Sequence, residues 1–362
     1  MKLQEYMTYI KNFDTKAFQS ALVDWFKQNK RDLPWRLDQD PYKVWVSEIM
    51  LQQTQVDTVI PFFNRFIEKF PTPTALAQAD QQDVLKAWEG LGYYSRARNL
   101  QSAVQEVQEK YQGKVPADRE QLSRLKGIGP YTQGAIMSIA FNQPEPAVDG
   151  NVMRVLSRLL KIEADIAKAR TRKGIEAIVR EIISKDDPSS FNQGLMELGA
   201  LICRPKNPDC FNCPVQDYCK AYKEDIQAQL PVKSTAKKQK TLHYYVFVIE
   251  NNAGEILIEQ RPETGLLAQL WQFPMIEPKN IDPDFIRPFV EEYFRVEASK
   301  VKMLEPVKHV FSHVIWQLSV FHIHVADLSE HADEQRLVTR DQLSEFPFPV
   351  SHQKVIQQLL DC

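Results

Sequence analysis

The sequence predicts a mostly α-helical front and a smaller α+β rear, and three observations carry that expectation. Apolar residues recur at helical spacing from about residue 14 to about Leu201. Four cysteines, Cys203, Cys210, Cys213 and Cys219, then fall in one short run. Beyond a lysine-rich stretch at 231–240 the pattern changes to short β-rich runs punctuated by turn residues. The chain therefore divides at the sequence level into a helical domain at 1–230, a basic linker at 231–240 and an α+β domain at 241–362. At 362 residues it is long enough for two cores.

The apolar share of 43% is that of a globular protein, and no run of about 18 apolar residues offers a membrane span. The opening MKLQEYMTYIKNFD lacks a long apolar core and a small-residue cleavage site, so no export signal is expected. A chain that is not exported meets a reducing compartment, where disulfides are not expected. The net charge of −2 hides an uneven distribution. Residues 1–230 hold 31 Lys and Arg against 29 Asp and Glu, the linker holds four lysines and no acid, and the remainder holds 10 against 18. A mildly basic front and linker ahead of an acidic rear would let one face meet phosphates, or is only a polar linker with solvated lysines.

Residues 14–30 form an amphipathic helix with Phe18, Leu22, Trp25 and Phe26 on one face. Pro34 makes Arg31 to Arg36 a loop, and Pro41 opens the next helix at its first turn. Within that helix Glu48 shares a stripe with Val44, Trp45 and Leu51. Desolvation there should raise its pKa and let it hold a proton near neutral pH, unless an arginine pairs with it. A helix over 55–70 ends at Pro71-Thr72-Pro73-Thr74, where Thr74 is the expected cap of a helix reaching Trp88. Gly90-Leu91-Gly92-Tyr93-Tyr94 is a glycine-hinged loop beside Arg96 and Arg98, suited to wedging into a base stack or to helix packing. A helix over 97–111 ends at Gly113 and Pro116.

Leu125-Lys126-Gly127-Ile128-Gly129-Pro130-Tyr131 then joins two helical patterns over about 118–141. Its glycines allow a sharp turn, and the first N–H groups of the second helix favour an anion. Taken alone, the stretch reads as an ordinary helix–helix turn; with an acid before it, an acid after it and four cysteines downstream, it reads as a helix-hairpin-helix, a sequence-independent clamp for a DNA phosphate. Asp149 stands at the N-cap of a helix striped by Val152, Val155, Leu156 and Leu159, where the helix dipole should keep it ionised.

The four cysteines are separated by six, two and five residues. Zinc sites more often use two separated Cys-x-x-Cys pairs, whereas one close pair with single cysteines on longer arms suits a four-thiolate cubane. Spacing alone leaves zinc open. Cys362 stands apart as an expected free thiol. In the rear domain, 243–250 and 255–260 read as a β-hairpin joined by 251–254. A loop at 265–274, a helix at 283–294, strands near 301–312 and 314–326, and a helix at 351–361 follow. Phe311-Ser312-His313 lies between two strands and offers a hydroxyl and an imidazole to a base edge, or only a polar turn.

With LPWR at 33–36, SEIMLQQTQ at 47–55, GLGYYSRARNL at 90–100, LKGIGPYTQGAI at 125–136, PAVDGNVMRVLSR at 146–158, the cysteine run and FSH at 311–313, the chain resembles the adenine DNA glycosylases of the MutY type over nearly its whole length. That resemblance implies a helix-hairpin-helix glycosylase fold with a [4Fe-4S] cluster on Cys203, Cys210, Cys213 and Cys219, followed by a Nudix-like domain. It implies a monomer acting on duplex DNA that holds adenine opposite 8-oxoguanine or guanine, in a bacterial cytoplasm at the nucleoid. Glu48 would be the catalytic acid and Asp149 the second carboxylate, with Tyr131 and Asn151 beside them. Arg31, Trp35, Leu51, Val56 and Gln193 would line the adenine pocket. Gln53, Thr54, Leu91 and Tyr93 would wedge around the lesion, Ser123 and Phe311-Ser312-His313 would read its edge, and Gly127 and Gly129 would meet phosphate. Related glycosylase/lyases of the endonuclease III type carry a lysine where Tyr131 stands, so hydrolysis without strand cleavage is expected. GLLAQLWQFP at 265–274 resembles Nudix hydrolases, but no acidic Arg-Glu-x-x-Glu-Glu box for magnesium accompanies it. A bifunctional glycosylase/lyase and a non-catalytic mismatch-binding protein remain the other readings.

Overall fold

The computed structural model describes residues 3–234, 239–281, 283–330 and 332–361. Residues 235–238 of the expected linker, and the free thiol expected at Cys362, lie outside the described residues. The chain forms two compact units, Met1–Gln78 with Ser102–Ala236, and Ala79–Gln101 with Lys237–Cys362.

The first unit is helical: α1 (Leu3–Tyr6), α2 (Thr15–Asn29), α3 (Pro41–Leu51), α4 (Val56–Lys69) and α5 (Pro73–Gln78) precede the inserted segment. That segment carries α6 (Gln81–Ala87) and the start of α7 (Ser95–Tyr111). Then come α8 (Arg119–Arg124), α9 (Pro130–Ile139), α10 (Gly150–Leu160), α11 (Ala169–Ile182), α12 (Pro188–Leu201) and α13 (Lys220–Lys223). An aspartate side chain accepts from a first-turn N–H at the start of α2, α3, α6, α8, α10 and α12. The single helix expected from Thr74 to Trp88 is two. Asp80 starts α6 afresh, and Thr72 rather than Thr74 caps α5, its hydroxyl accepting from Ala75 N–H at 3.1 Å.

Phe18 and Leu22 of α2, Val152, Val155, Leu156 and Leu159 of α10, Ile178 and Ile182 of α11, and Phe191 and Leu195 of α12 share one buried core. Because α3 is buried over Val44–Met50, whatever it holds is held rigidly. It packs beside α9. Gly134 lets α9 approach the chain leading to Asp149, since a Cβ there would lie 1.9 Å from the carbonyl oxygen of Pro146.

The second unit is one mixed sheet with helices on both faces. Its strands are β1 (Lys240–Asn251), β2 (Glu255–Gln260), β3 (Trp271–Gln272), β4 (Met275–Ile276), β5 (Ala298–Met303), β6 (Val307–Val310), β7 (Val314–Val325) and β8 (Gln335–Thr339). The main path runs β3-β2-β1-β7-β5, with β1 and β7 parallel from Lys240↔Val314 to Asn251↔Val325 and the other pairs antiparallel. Alternate residues feed two cores: Val246, Val248, Trp316, Leu318 and Val320 face α15 (Val350–Leu360), and Phe247, Ile249, Phe321 and Ile323 face α14 (Ile286–Phe294). The strand expected over 301–312 is broken between β5 and β6, where Pro306 has no N–H for a ladder.

The expected iron–sulfur module is corrected. Metal ligands must converge, yet among the described residues the cysteine sulfurs form no convergent group. The group of three or more ligand residues whose donor atoms all lie within 4.8 Å of one another is Glu250, His322 and His324. The cysteine segment is tied by protein contacts instead. Arg158 Nη1 donates to Cys203 Sγ at 3.4 Å and to the Arg204 carbonyl at 2.7 Å, and the Cys219 thiol donates to the Arg158 carbonyl at 3.6 Å.

Candidate active site

A cavity of about 590 Å³ in the first unit gathers residues from α3, α9, α10, α12 and the 31–36 loop. Glu48 projects into it from α3 and is only 5% exposed. Burial pushes its carboxyl up to about 7, against the opposing effect of the Tyr131 hydroxyl that donates to Oε2 and of the Arg36 charge; the nearby Asp149 charge adds to the rise. Tyr131 itself, at the start of α9, is driven well above the usual phenol range by burial and by the two carboxylates.

Asp149 is the N-cap of α10, as its position in the sequence implies. Its Oδ1 accepts from Val152 N–H at 2.7 Å and its Oδ2 from Asn151 Nδ2 at 2.9 Å. Burial nevertheless raises its pKa, with those hydrogen bonds and Arg154 pulling the other way. The cap chemistry was legible in the sequence; the desolvation that outweighs it was not, because it depends on how α10 packs. Asn151 is held in turn, its Oδ1 accepting from Arg154 Nη2 at 2.8 Å.

Arg31, Trp35, Leu51, Val56 and Gln193 all line this cavity, as do Gln53, Thr54, Gly127 and Gly129. Trp35 is buried edge-on against Phe63 at 5.4 Å. Gln53 follows the end of α3 at φ 59°, and Gly127 turns the hairpin at φ 81°. Ser123 does not line the cavity. It is exposed on α8, its hydroxyl donating to the Glu120 carbonyl at 2.8 Å.

Two residues outside the expected set organise the wall. Glu197, one turn beyond Gln193 on α12, is 1% exposed and accepts from both Arg31 (Nε 2.9 Å, Nη2 2.9 Å) and Arg36 (Nη2 3.0 Å). It also accepts from the Arg31 backbone N–H at 2.9 Å. Arg36 Nε donates to Gln193 Oε1 at 3.0 Å. Although burial opposes ionisation, the two arginines hold the Glu197 carboxyl down at about 2. The available signal was the one used for Glu48: a lone acid among apolar residues of a helix.

The remaining expected residues lie in the second unit, around a cavity of about 330 Å³ lined by Tyr93, Phe311, Ser312 and His313. The Tyr93 hydroxyl and Ser312 Oγ are 2.6 Å apart, and Phe311 packs edge-on against Trp316 at 4.9 Å. Tyr93 is 43% exposed with φ 47°, whereas Leu91 is 6% exposed and points into the unit rather than out of the loop. Among the described residues, no acidic array gathers on the Nudix-like strands near α14. Glu291 there closes the helix end, accepting from Arg287 Nε and Ala298 N–H, each at 3.2 Å.

A helical unit with a hairpin beside a buried acid, followed by a Nudix-type sheet, defines a class. Residues 46–181 match the family model of the HhH-GPD superfamily base excision DNA repair proteins, and 245–358 match that of the NUDIX domain. The chain is 36% identical to an adenine DNA glycosylase of Mus musculus, over 83% of this chain and 69% of that one. To an adenine DNA glycosylase of Buchnera aphidicola subsp. Baizongia pistaciae it is 32% identical, over 90% and 91%. A solved thermostable thymine-DNA glycosylase superposes with TM-score 0.54 at 27% identity, covering 59% of this chain and 99% of its own. The chain belongs to the adenine DNA glycosylase family. The cluster expected as its cofactor does not fit Cys203, Cys210, Cys213 and Cys219, whose sulfurs form no convergent group among the described residues.

Proposed function

We propose that this protein hydrolyses the N-glycosidic bond of adenine mispaired with 8-oxoguanine or guanine in duplex DNA, without cutting the strand. The observation that carries the proposal is Glu48: a carboxyl lifted to about 7, on a rigid helix, sharing a cavity with Asp149. Such an acid holds a transferable proton at neutral pH, the condition for general acid catalysis. An adenine flipped from the stack enters between Trp35, Leu51 and Val56, and Glu48 protonates a ring nitrogen. The bonding pair leaves with the base, and the sugar becomes oxocarbenium-like. Asp149 stabilises that charge as its carboxylate, and water supplies the oxygen that completes hydrolysis. Tyr131 supports the absence of strand cleavage, because a phenol cannot form the imine that a lyase needs.

The hairpin Gly127–Gly129 binds a phosphate next to the cavity, and the Tyr93, Ser312 and His313 cavity reads the lesion. The domain division at the basic linker, and action as a monomer on nucleoid DNA in a bacterial cytoplasm, complete the reading. No described helix is long and apolar enough to cross a membrane.

The test is single-turnover adenine release from a duplex with adenine opposite 8-oxoguanine, quenched with and without alkali. Wild type should release adenine and give strand breaks only after alkali. Glu48→Gln should bind the duplex and release base at least about 100-fold more slowly, the usual worth of a general acid. Strand breaks without alkali would establish lyase chemistry, and wild-type rates in Glu48→Gln would remove the acid assignment.

A further inference from the structure

We infer that Glu250, His322 and His324 bind a divalent transition-metal ion of the zinc class, held on the sheet of the second unit by residues that line neither cavity described above. Glu250 on β1 stands in register with His324 on β7, and His322 lies two residues earlier on the same face. That face is apolar through Val248 and Val320, then changes to these three donors. Glu250 and His322 are 7% and 4% exposed, and His324 is half-buried. Glu250 Oε2 lies 2.7 Å from His322 Nε2, the two imidazole centroids are 4.4 Å apart, and one donor atom from each of the three lies within 4.8 Å of the others.

An ion pair would need only one of these histidines. Two imidazoles and a carboxylate converging from adjacent strands make a facial set for a transition ion. Zinc–ligand bonds of about 2.0–2.2 Å put tetrahedral donors about 3.4 Å apart, so the wider pairs must close by little more than an ångström while Glu250 Oε2 and His322 Nε2 open from 2.7 Å. His324, the least buried, is the ligand with room to move. Arg340 forks onto the carboxylate, Nε to Oε1 at 3.1 Å and Nη2 to Oε2 at 2.9 Å, and fixes its plane as outer partners of ligating carboxylates do. On binding, the neutral His322 ring changes tautomer, the proton that Nε2 donates to Oε2 passing to Nδ1, and the freed Nε2 lone pair turns to the ion. Arg340, together with Lys300 and Lys302 paired opposite His324 and His322, adds positive charge. That charge opposes any cation, so only an ion with strong bonds to nitrogen overcomes it; with one carboxylate in the set, calcium and magnesium, which depend on several oxygen ligands, are excluded.

Zinc binding by the full chain should be measured by equilibrium dialysis and thermal melting in wild type and in His322→Asn/His324→Asn. The double variant should bind one equivalent fewer and lose the zinc-induced rise in Tm. Equal stoichiometry in the two proteins would overturn the inference. Should the double variant fail to fold, His324→Asn alone, at the half-buried position, carries the test through the cobalt(II) spectrum. Wild type should show d–d bands from nitrogen and oxygen ligands that disappear in His324→Asn. Cobalt bands that persist unchanged in that variant would assign the ion elsewhere and end the proposal.

Discussion

Glu48 and Glu197 are both buried acids on helices, and their neighbours drive them in opposite directions. Burial dominates Glu48 and lifts it to about 7, whereas two guanidiniums overcome burial at Glu197 and hold it at about 2. For Glu48 the protonated form is the proposed acid, so base release should fall as pH rises through about 7. Tyr131→Phe removes a hydroxyl that lowers the Glu48 pKa, and the fall should move to higher pH in a single-turnover profile. An unmoved limb would assign it to another group. For Glu197 the folded pKa lies below the ordinary 4.5, so its contribution is complete above about pH 4.5 and is lost as pH falls through about 2. Glu197→Gln strands two guanidiniums and should cost about 3 kcal/mol at pH 7, at the low end for a broken buried pair because Arg31 keeps 33% of its side chain in water. Urea melts should show that difference shrinking between about pH 4.5 and pH 2. Glu48 was legible because Val44, Trp45 and Leu51 surround it along one helix. Glu197 carries the same local signal on α12, but its pairing was not legible because Arg31 and Arg36 lie more than 150 residues away in sequence.

Helices were legible where one face carried a continuous stripe, as in α2 and α10, and the cap of α10 was legible because Asp149 precedes its stripe. The sheet was less so. The hairpin of β1 and β2 follows from local alternation around Asn251 to Gly254, with Glu250 opposite Ile256. β8 has only Gln335–Thr339, and its partner β2 lies some 75 residues earlier, so nothing local marks it. The cysteine run shows the opposite failure: a spacing that fits a cluster places no sulfurs into a convergent group. In α9 the decisive position is Gly134. Gly134→Ala would force its Cβ against the Pro146 carbonyl, and that chain leads directly to Asp149. The variant should lose about 3 kcal/mol in urea denaturation, and base release should slow in the fraction that folds. Unchanged stability would mean that α9 has slack the packing does not reveal.

Over the whole molecule, charge is partitioned rather than balanced, with the basic excess in the front and linker and the acidic excess behind. A cleft of about 960 Å³ beside Asp149 carries Arg154, Lys168, Arg172 and Lys233. If duplex DNA follows it, affinity should fall steeply with salt, and Arg172→Gln should reduce the slope of log K against log salt by about one. A slope equal to wild type would take the phosphate path away from α11. The segment 79–101 also sets an order of events during synthesis. It interrupts the first unit but packs with the second, where Arg98 Nη1 donates to the Ala268 carbonyl at 2.7 Å and Phe348 N–H to Glu89 Oε1 at 2.8 Å. The ribosome completes β7 more than 200 residues after this segment emerges, which takes about 10 to 45 s at bacterial or slower elongation rates. For that interval the nascent chain carries Gln82, Lys86, Glu89 and Arg98 without the partners they find at Gln269, Phe346, Phe348 and Ala268, so the segment stays unanchored until the rest of its unit is made.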